Sequence, residues 1–241
     1  KADFLLSLCE RVVGGKTIKE ASFDLECGDM LTLISDGVMY AGIGAVLNLG
    51  WNWESVCDFI QDNCEDENTS ARMTAALIEA CNDLYMRQPG DDTTVACMRI
   101  IDSKPVHLMT GPARNPEDDV RMVHEFLADS NAKTIVCGGT SATIVSRVMG
   151  KKLDVSLDYV DPEIPPIAYM DGVDLVTEGV LTLNRVLQLL RRYVKNETVS
   201  EEFFQELDKP NGGSMVAKVL IEDCTEVHLY VGKAINSAYQ N

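Results

Sequence analysis

Residues 133–142 read Lys-Thr-Ile-Val-Cys-Gly-Gly-Thr-Ser-Ala and pass from an apolar run through two glycines into a helical pattern. The β-branched and apolar run over 133–137 predicts a buried strand, and the apolar spacing over 141–149 predicts a helix. Residues 138–140 are the loop between them. A glycine-rich turn from a strand into a helix is typical of α/β folds with a parallel sheet.

The segments before and after this stretch repeat the alternation of strand and helix. Helices are predicted at 120–128, 182–194, 200–207 and 215–221, and strands at 155–159, 173–177 and 226–231. Strands separated by helices in this order favour a mostly parallel sheet with helices on both faces. Lys104-Pro105 interrupts the pattern, which places a domain boundary near residue 102. We therefore expect a small α/β domain over residues 102–241.

The first part of the chain, residues 1–101, has a different order of elements. The predicted elements are a helix over 3–13, a hairpin of strands 17–25 and 30–34, helices over 53–61 and 69–86, and a strand over 93–100. In this interpretation Gly14-Gly15 ends the first helix and Gly28-Asp29 is the turn of the hairpin. The mixture predicts an α+β domain in which helices flank a sheet.

The composition and the charge exclude several classes of protein. Hydrophobic residues make up 46% of the chain and charged residues 24%, which excludes a disordered or a collagen-like protein. The net charge of -17 repels nucleic-acid phosphates and anionic lipid head groups, so neither is an expected partner. The same acidity is compatible with simple solubility and with a carboxylate-rich site for hard cations.

The cysteines and the chain ends indicate the compartment and the extent of the chain. The 8 cysteines show no C-x-x-C spacing and lie mostly in apolar runs, as in reduced cytoplasmic proteins, so no zinc site is expected. We find neither an apolar run of about 18 residues nor a secretory leader. Because the chain begins at Lys1 without a methionine, we interpret it as a piece of a longer cytoplasmic protein.

Two acidic turns stand next to predicted strands. Ser35-Asp36-Gly37 follows the strand at 30–34, and Asp91-Asp92-Thr93-Thr94 leads into the strand at 93–100. An aspartate at a strand end, followed by a glycine, projects its carboxylate into a cleft. Two such carboxylates brought together suit Mg²⁺ or Mn²⁺. Taken alone, an Asp-Gly pair after a strand is usually an ordinary turn.

The two turns belong to longer motifs, Glu26-Cys-Gly-Asp-Met-Leu-Thr-Leu-Ile-Ser-Asp-Gly-Val38 and Pro89-Gly-Asp-Asp-Thr-Thr-Val-Ala96, with Gly50-Trp-Asn-Trp53 between them. Together they resemble the C-terminal half of the catalytic domain of metal-dependent serine/threonine protein phosphatases, in the bacterial sporulation stage II protein E branch. The resemblance implies that Asp36 and Asp91 bind metal and that Gly37 contributes its backbone at the same ion. Asp92 is then close to the metal site. The implied fold is half of a phosphatase β-sandwich.

The resemblance also implies a reaction. A binuclear Mn²⁺ or Mg²⁺ centre activates a water that hydrolyses phosphoserine or phosphothreonine of a phosphoprotein substrate, without a side-chain nucleophile. The family carries a further "DG-x-G" motif and an earlier acidic residue, and nothing before Asp36 matches either. We therefore expect the chain to hold only part of the metal site and to be a poor enzyme by itself.

The glycine turn of the α/β domain is a candidate site for a small anion. Gly138 and Gly139 leave the amides at the helix start uncovered, and Thr140 and Ser141 offer hydroxyls. An ordinary turn with Thr140 or Ser141 as the helix N-cap explains the same residues. Thr177 and Glu178 stand at the end of a second predicted strand, which brings them to the same edge of the sheet as the glycine turn. In the alternative interpretation, Glu178 is a solvated residue at the start of a helix.

Two other functions remain open for the chain. The α/β domain can be a non-catalytic module that binds a small anion or a partner, with the phosphatase-like part as scaffold. It can also be an enzyme for a small molecule in its own right. The net charge of -17 favours a small, singly charged metabolite over a polyanion.

Overall fold

The computed structural model describes residues 8–64, 69–155, 166–195 and 200–234. Its first part contains short strands and three helices. They are β1 (Cys9–Val13), β2 (Lys16–Glu20), β3 (Met30–Ile34), α1 (Asp36–Met39), α2 (Trp53–Asp62), α3 (Ser70–Leu84) and β4 (Val95–Arg99). The predicted α2, α3 and β3 are confirmed, with Asn52 and Thr69 as N-caps whose side chains accept amide hydrogen bonds.

The second part alternates between strands and helices. Its strands are β5 (Pro105–Thr110), β6 (Lys133–Cys137), β7 (Leu153–Val155), β8 (Ala168–Met170), β9 (Val173–Thr177) and β10 (Glu226–Val231). Its helices are α4 (Asp119–Phe126), α5 (Gly139–Met149), α6 (Val180–Lys195), α7 (Glu201–Leu207) and α8 (Gly212–Glu222), with a short 3-10 helix at Pro116–Asp118 before α4. The strands predicted at 133–137, 173–177 and 226–231 are confirmed.

Six strands of the second part form one sheet in the order β10-β5-β6-β9-β8-β7. The neighbours from β10 to β9 are parallel, and β8 and β7 continue the sheet in antiparallel pairing. Helices pack on both faces: Phe126 of α4 joins the core on one side, and Phe203 of α7 joins the core on the other. The predicted class, α+β followed by an α/β domain with a mostly parallel sheet, is confirmed.

The first part contains a smaller core behind the antiparallel pair of β3 and β4. Val38, Met73 and Leu77 are fully buried there between this pair and the helices. The opposite face of the pair is open, and Leu33 is 61% exposed. All five residues of β1 and of β2 are exposed as well. The sheet of the first part is therefore covered on one side only.

The prediction of a helix over 3–13 is wrong for residues 9–13, and residues 1–7 lie outside the described residues. Residues 9–13 are strand β1, which pairs with β2 in antiparallel register. Gly14 and Gly15 have φ values of 57° and 79°, so they form a tight hairpin turn and do not end a helix. The predicted pairing of 17–25 with 30–34 is also wrong, because β3 pairs with β4.

One further prediction needs correction, and a predicted strand lies mostly outside the described residues. Pro105–Thr110 is a central strand of the sheet, although Lys104-Pro105 was expected to interrupt the pattern. Proline is tolerated as the first residue of a strand, where its missing amide hydrogen costs least. Of the strand predicted at 155–159, only Val155 lies in the described part, and there it ends β7.

Helix α3 of the first part also packs against the second part. Ala75 is buried within the core that contains Phe203 and Phe204. Arg72 donates to both carboxylate oxygens of Glu222 at 2.6 and 2.9 Å, and its two terminal nitrogen atoms donate to Asp208 at 2.9 Å. The guanidinium carbon lies 4.8 Å from the centre of the Phe204 ring. We call Arg72, Asp208 and Glu222 the Arg72 clamp.

Candidate functional site

The two acidic turns lie against each other through backbone and hydroxyl hydrogen bonds. The Ser35 amide donates to the Thr94 carbonyl at 3.0 Å, and the Thr94 amide donates to the Ser35 hydroxyl oxygen at 2.9 Å. The Ser35 hydroxyl donates in turn to the Asp92 carbonyl at 3.3 Å. Strand pairing of β3 with β4 brings the two segments side by side, since Ile34 pairs with Val95. Asp36 begins α1 directly after this junction.

Gly37 lies where the two turns approach most closely. A Cβ atom at this position would be 2.4 Å from the Asp92 carbonyl oxygen and 2.9 Å from the Thr93 hydroxyl oxygen. Any side chain would therefore push the turns apart. The Gly37 carbonyl accepts a buried hydrogen bond of 2.7 Å from the Tyr85 hydroxyl. Tyr85 is the C-cap of α3, so the C-terminal end of this helix supports the two joined turns. We call these turns, residues 35–37 and 91–94, the acidic junction.

The carboxylates at the junction face solvent. Asp36, Asp91 and Asp92 are exposed and form no ion pair within the described part of the chain. One Asp91 carboxylate oxygen accepts from the Asp92 amide at 2.8 Å. Burial raises the pKa of the Tyr85 hydroxyl, and the negative charges of Asp91 and Asp36 raise this pKa further. Both charges therefore act on one hydroxyl group.

These residues supply part of what a divalent metal centre needs. Carboxylate oxygens are the ligands that Mg²⁺ and Mn²⁺ prefer, and Mg²⁺ keeps several waters besides one or two carboxylates. Among the described residues, however, no three His, Cys, Asp or Glu side chains form a group that could hold a metal ion. The donor chemistry at Asp36 and Asp91 fits such an ion, and the number of donors is incomplete for a binuclear centre.

A cavity of about 390 Å³ opens beside Asp91. It is lined mainly by apolar atoms, with Tyr40, Ile43 and Tyr85 among the lining residues. The glycine-bearing segment between α1 and α2 supplies one wall, and the turn that follows α3 supplies the other. The acidic junction therefore lies next to a recess that can receive an apolar or aromatic group.

The glycine turn of the α/β domain lies at the carboxyl end of β6. Helix α5 begins at Gly139, earlier than predicted, and Gly138 is its N-cap with φ 116° and no side-chain cap. Gly139 and Thr140 are exposed, and Ser141 is buried. Neither Thr140 nor Ser141 is the N-cap that the alternative interpretation proposed.

The two residues predicted from the next strand end have internal partners. Thr177 is 4% exposed, and its hydroxyl contacts the Cys137 sulfur at 3.4 Å and the Glu178 carbonyl at 2.9 Å. The Glu178 carboxylate accepts from the Leu181 amide at 3.1 Å in the first turn of α6. The structure thus brings Thr177 and Glu178 to the same sheet edge as Gly138, with Glu178 at a helix entry.

Sequence reasoning missed two contributors to these sites. Tyr85 stands at the end of an ordinary amphipathic helix, and no local pattern indicates that its hydroxyl reaches Gly37. Asn211-Gly212-Gly213-Ser214 is a second glycine pair at a helix start, and this pattern resembles that of residues 138–141. The helix predicted at 215–221 begins earlier, at Gly212, so the pair lies inside its first turn.

Comparison with protein families supports the resemblance for the first part of the chain. Residues 10–101 match the family model described as Stage II sporulation protein E (SpoIIE). The match covers well under half of the 241 residues and includes both acidic turns. Searches of curated proteins and of solved structures gave no match. Within the described ranges, the helices are too short or too polar to cross a bilayer.

Proposed function

We propose, on the premise that residues 10–101 are of the SpoIIE type, that this segment is part of a metal-dependent serine/threonine protein phosphatase of the bacterial cytoplasm. The substrate class is a phosphoprotein. The observation that supports the proposal is the hydrogen-bonded junction of the two acidic turns, in which Ser35, next to Asp36, bonds to Thr94 and to the carbonyl of Asp92, next to Asp91.

In this proposal Asp36 and Asp91 are the metal ligands and Asp92 lies beside them. Gly37 contributes its backbone at the same ion, and its carbonyl also accepts a hydrogen bond from Tyr85. Gly37 has a positioning role as well, because the absence of a side chain lets the Asp92 backbone come close. Tyr85 has a positioning role through its hydrogen bond to the Gly37 carbonyl.

The metal, when bound, lowers the pKa of a coordinated water and neutralises charge on the phosphoryl group. The chain's own residues hold the carboxylates in place and offer the recess beside Asp91 to the substrate segment next to the phosphorylated residue. Because the donor set is incomplete, we expect weak Mn²⁺ binding and little phosphate release from a phosphoserine peptide by this chain alone.

Titration calorimetry with Mn²⁺ tests the ligand assignment without requiring turnover. Asp36→Asn and Asp91→Asn should each reduce the Mn²⁺ affinity by about tenfold or more, because each removes a charged ligand. Asp58→Asn is the matched control, since Asp58 is an exposed aspartate on α2, away from the junction. It should leave the affinity unchanged.

Two results would overturn the proposal. One is equal Mn²⁺ affinity for the parent chain and an Asp36→Asn, Asp91→Asn double variant. The other is Mn²⁺-dependent hydrolysis of p-nitrophenyl phosphate that Asp36→Asn does not reduce. In either case the phosphatase-like part is better regarded as a scaffold for the α/β domain.

A further inference from the structure

Three glycine-containing helix starts meet at the carboxyl edge of the large sheet. A Cβ atom at Gly179, before α6, would lie 3.3 Å from the Cα atom of Gly138, before α5. A Cβ atom at Gly212, the first residue of α8, would lie 3.0 Å from the Thr177 side chain at the end of β9. The starts of α5, α6 and α8 therefore pack around the ends of β6 and β9. We call this place the triple helix junction.

The junction gathers three helix starts in a chain whose net charge is -17. Each helix start carries a partial positive charge from its unpaired amides. The α8 start is capped by the neutral Asn211 side chain, and the α6 start by Glu178. The α5 start has no side-chain cap. Within the described part of the chain, the amides of Gly139, Thr140 and Ser141 have no acceptor.

Two buried hydroxyls at the junction also have no partner. Thr182 and Ser214 are both 0% exposed, and their hydroxyl oxygens make no hydrogen bond within the described residues. Each is the third residue of its helix, α6 and α8 respectively. Because the Cα–Cβ bond in a helix tilts toward the N-terminus, each of the two side chains leans toward the start of its own helix. A buried unpaired hydroxyl destabilises a fold unless a ligand or water satisfies it.

We propose that the triple helix junction binds a small oxyanion, the carboxylate or phosphate group of a metabolite. The uncapped amides of Gly139, Thr140 and Ser141 donate to the anion, and the glycines let it approach the backbone closely. The hydroxyls of Thr182 and Ser214 complete the polar lining from the other two helices. Glu178, whose second carboxylate oxygen has no described partner, accepts from a hydroxyl of the same ligand.

This assignment does not depend on the phosphatase proposal, because the junction lies wholly in the second part of the chain. It modifies the expectation drawn from the sequence in one respect. Thr177 is a structural residue whose hydroxyl is already bonded, and its place in the site is taken by Thr182 and Ser214. The anion carries few charges, since a polyanion is repelled by the net charge of -17.

The test is a titration of the ¹⁵N-labelled whole chain with sodium phosphate and, separately, sodium acetate, against sodium chloride at equal ionic strength. The amide resonances of Gly138, Gly139, Thr140 and Gly179 should shift with saturation. The thermal midpoint should rise by about 2–5 °C at saturating anion, because the ligand binds the folded state. A response to phosphate alone identifies a phosphate group, and a response to both anions identifies the shared oxyanion chemistry.

Matched variants locate the site. Gly139→Asp places a carboxylate among the uncapped amides and should raise the midpoint without anion while abolishing the anion response. Gly139→Asn has nearly the same shape without the charge and should retain part of the response. Both variants should fold, because a Cβ atom at Gly139 meets nothing within 4 Å and its φ is ordinary.

A second pair of variants tests the hydroxyls. Thr182→Val and Ser214→Ala should raise the midpoint of the free chain, because each removes an unpaired buried group, and should weaken the anion response several-fold. If a hydroxyl has only a structural role, its removal changes the thermal midpoint and leaves the anion affinity unchanged. The proposal fails if neither anion moves the named resonances, if Gly139→Asp responds like the parent chain, or if Thr182→Val and Ser214→Ala leave the anion affinity unchanged.

Discussion

Gly37 shows how one missing side chain joins two distant turns. The turns are separated by more than fifty residues along the chain and are held at backbone contact distance. Sequence motifs identify this glycine as part of Ser35-Asp36-Gly37, but only the structure shows which atoms require it. The requirement is steric, since the approach of the Asp92 carbonyl leaves no room for a Cβ atom.

Gly37→Ala should therefore destabilise the chain by about 1–3 kcal/mol, because the backbone of the acidic junction must move to admit the methyl group. Urea unfolding, followed by tryptophan fluorescence, measures the change. Gly90→Ala is the control in the same turn region, where a Cβ atom would meet Tyr85 at an ordinary distance of 3.7 Å. Equal destabilisation by the two variants would show that Gly37 is not specially constrained.

Tyr85→Phe removes the donor to the Gly37 carbonyl and should cost about 1–2 kcal/mol at neutral pH. The pKa of Tyr85 is raised in the folded state, so the protonated form is favoured there. The stabilisation is fully present below the ordinary tyrosine pKa of about 10 and is lost as the pH rises through the higher folded value. The difference in unfolding free energy between parent and variant should thus shrink above pH 10.

Paired urea titrations at pH 7, 9 and 10.5 measure that difference. The comparison removes contributions from other titrating groups, because they are common to both chains. A difference that grows with pH would mean that the raised pKa has been assigned with the wrong sign.

At the level of elements, α3 joins the two parts of the chain through the Arg72 clamp. The side chain of Glu222 is only 2% exposed, and the Arg72 guanidinium is its cationic partner. The hydrogen bond from Arg72, with help from Lys218, lowers the pKa of Asp208. Loss of the arginine removes the cationic partner of a buried carboxylate and leaves the neutral Thr69 hydroxyl as a donor to it at 3.2 Å.

Arg72→Met should accordingly destabilise the chain by about 3 kcal/mol. The matched control is Arg87→Met, since Arg87 bonds Glu79 and Asp83 near the other end of α3 but is 60% exposed. The control should change the unfolding free energy by no more than about 1 kcal/mol. Chemical denaturation of the parent chain and of the two variants measures these changes. Equal losses of unfolding free energy in the two variants would contradict the buried role of Glu222.

The elements also show how much of the fold could be predicted from the sequence. Apolar spacing and caps predict strands β3, β6, β9 and β10 and helices α2 and α3, because the pattern that indicates each element lies within its own residues. Strand β1 does not, since Cys9–Val13 has apolar residues compatible with either period, and only the hairpin formed by Gly14 and Gly15 distinguishes them. Similarly, Tyr85 acquires its role from a tertiary neighbour, the Gly37 carbonyl, that no motif records.

At the scale of the whole molecule, the net charge of -17 is a general source of instability through self-repulsion. Raising the salt concentration from 10 to about 150 mM reduces the screening length to about 8 Å and should raise the thermal midpoint. Salt also weakens attractive ion pairs, which lowers the thermal midpoint. The Arg72 clamp contributes little to this decrease, because its carboxylate Glu222 is shielded from solvent.

Calorimetric scans in NaCl and in KCl should give the same increase, since screening depends on ionic strength and not on the ion. A midpoint that falls with salt would show that attractive pairs outweigh the repulsion. A rise with one cation alone would indicate specific binding and not screening.

Helix α3 has its first turn in the Arg72 clamp and its C-cap, Tyr85, on the Gly37 carbonyl. Fifteen residues of helix make a stiff rod roughly 22 Å long, so its two ends cannot move independently. We therefore expect a displacement of α8 that moves Arg72 to reach the turn that carries Asp36, because one helix makes both contacts.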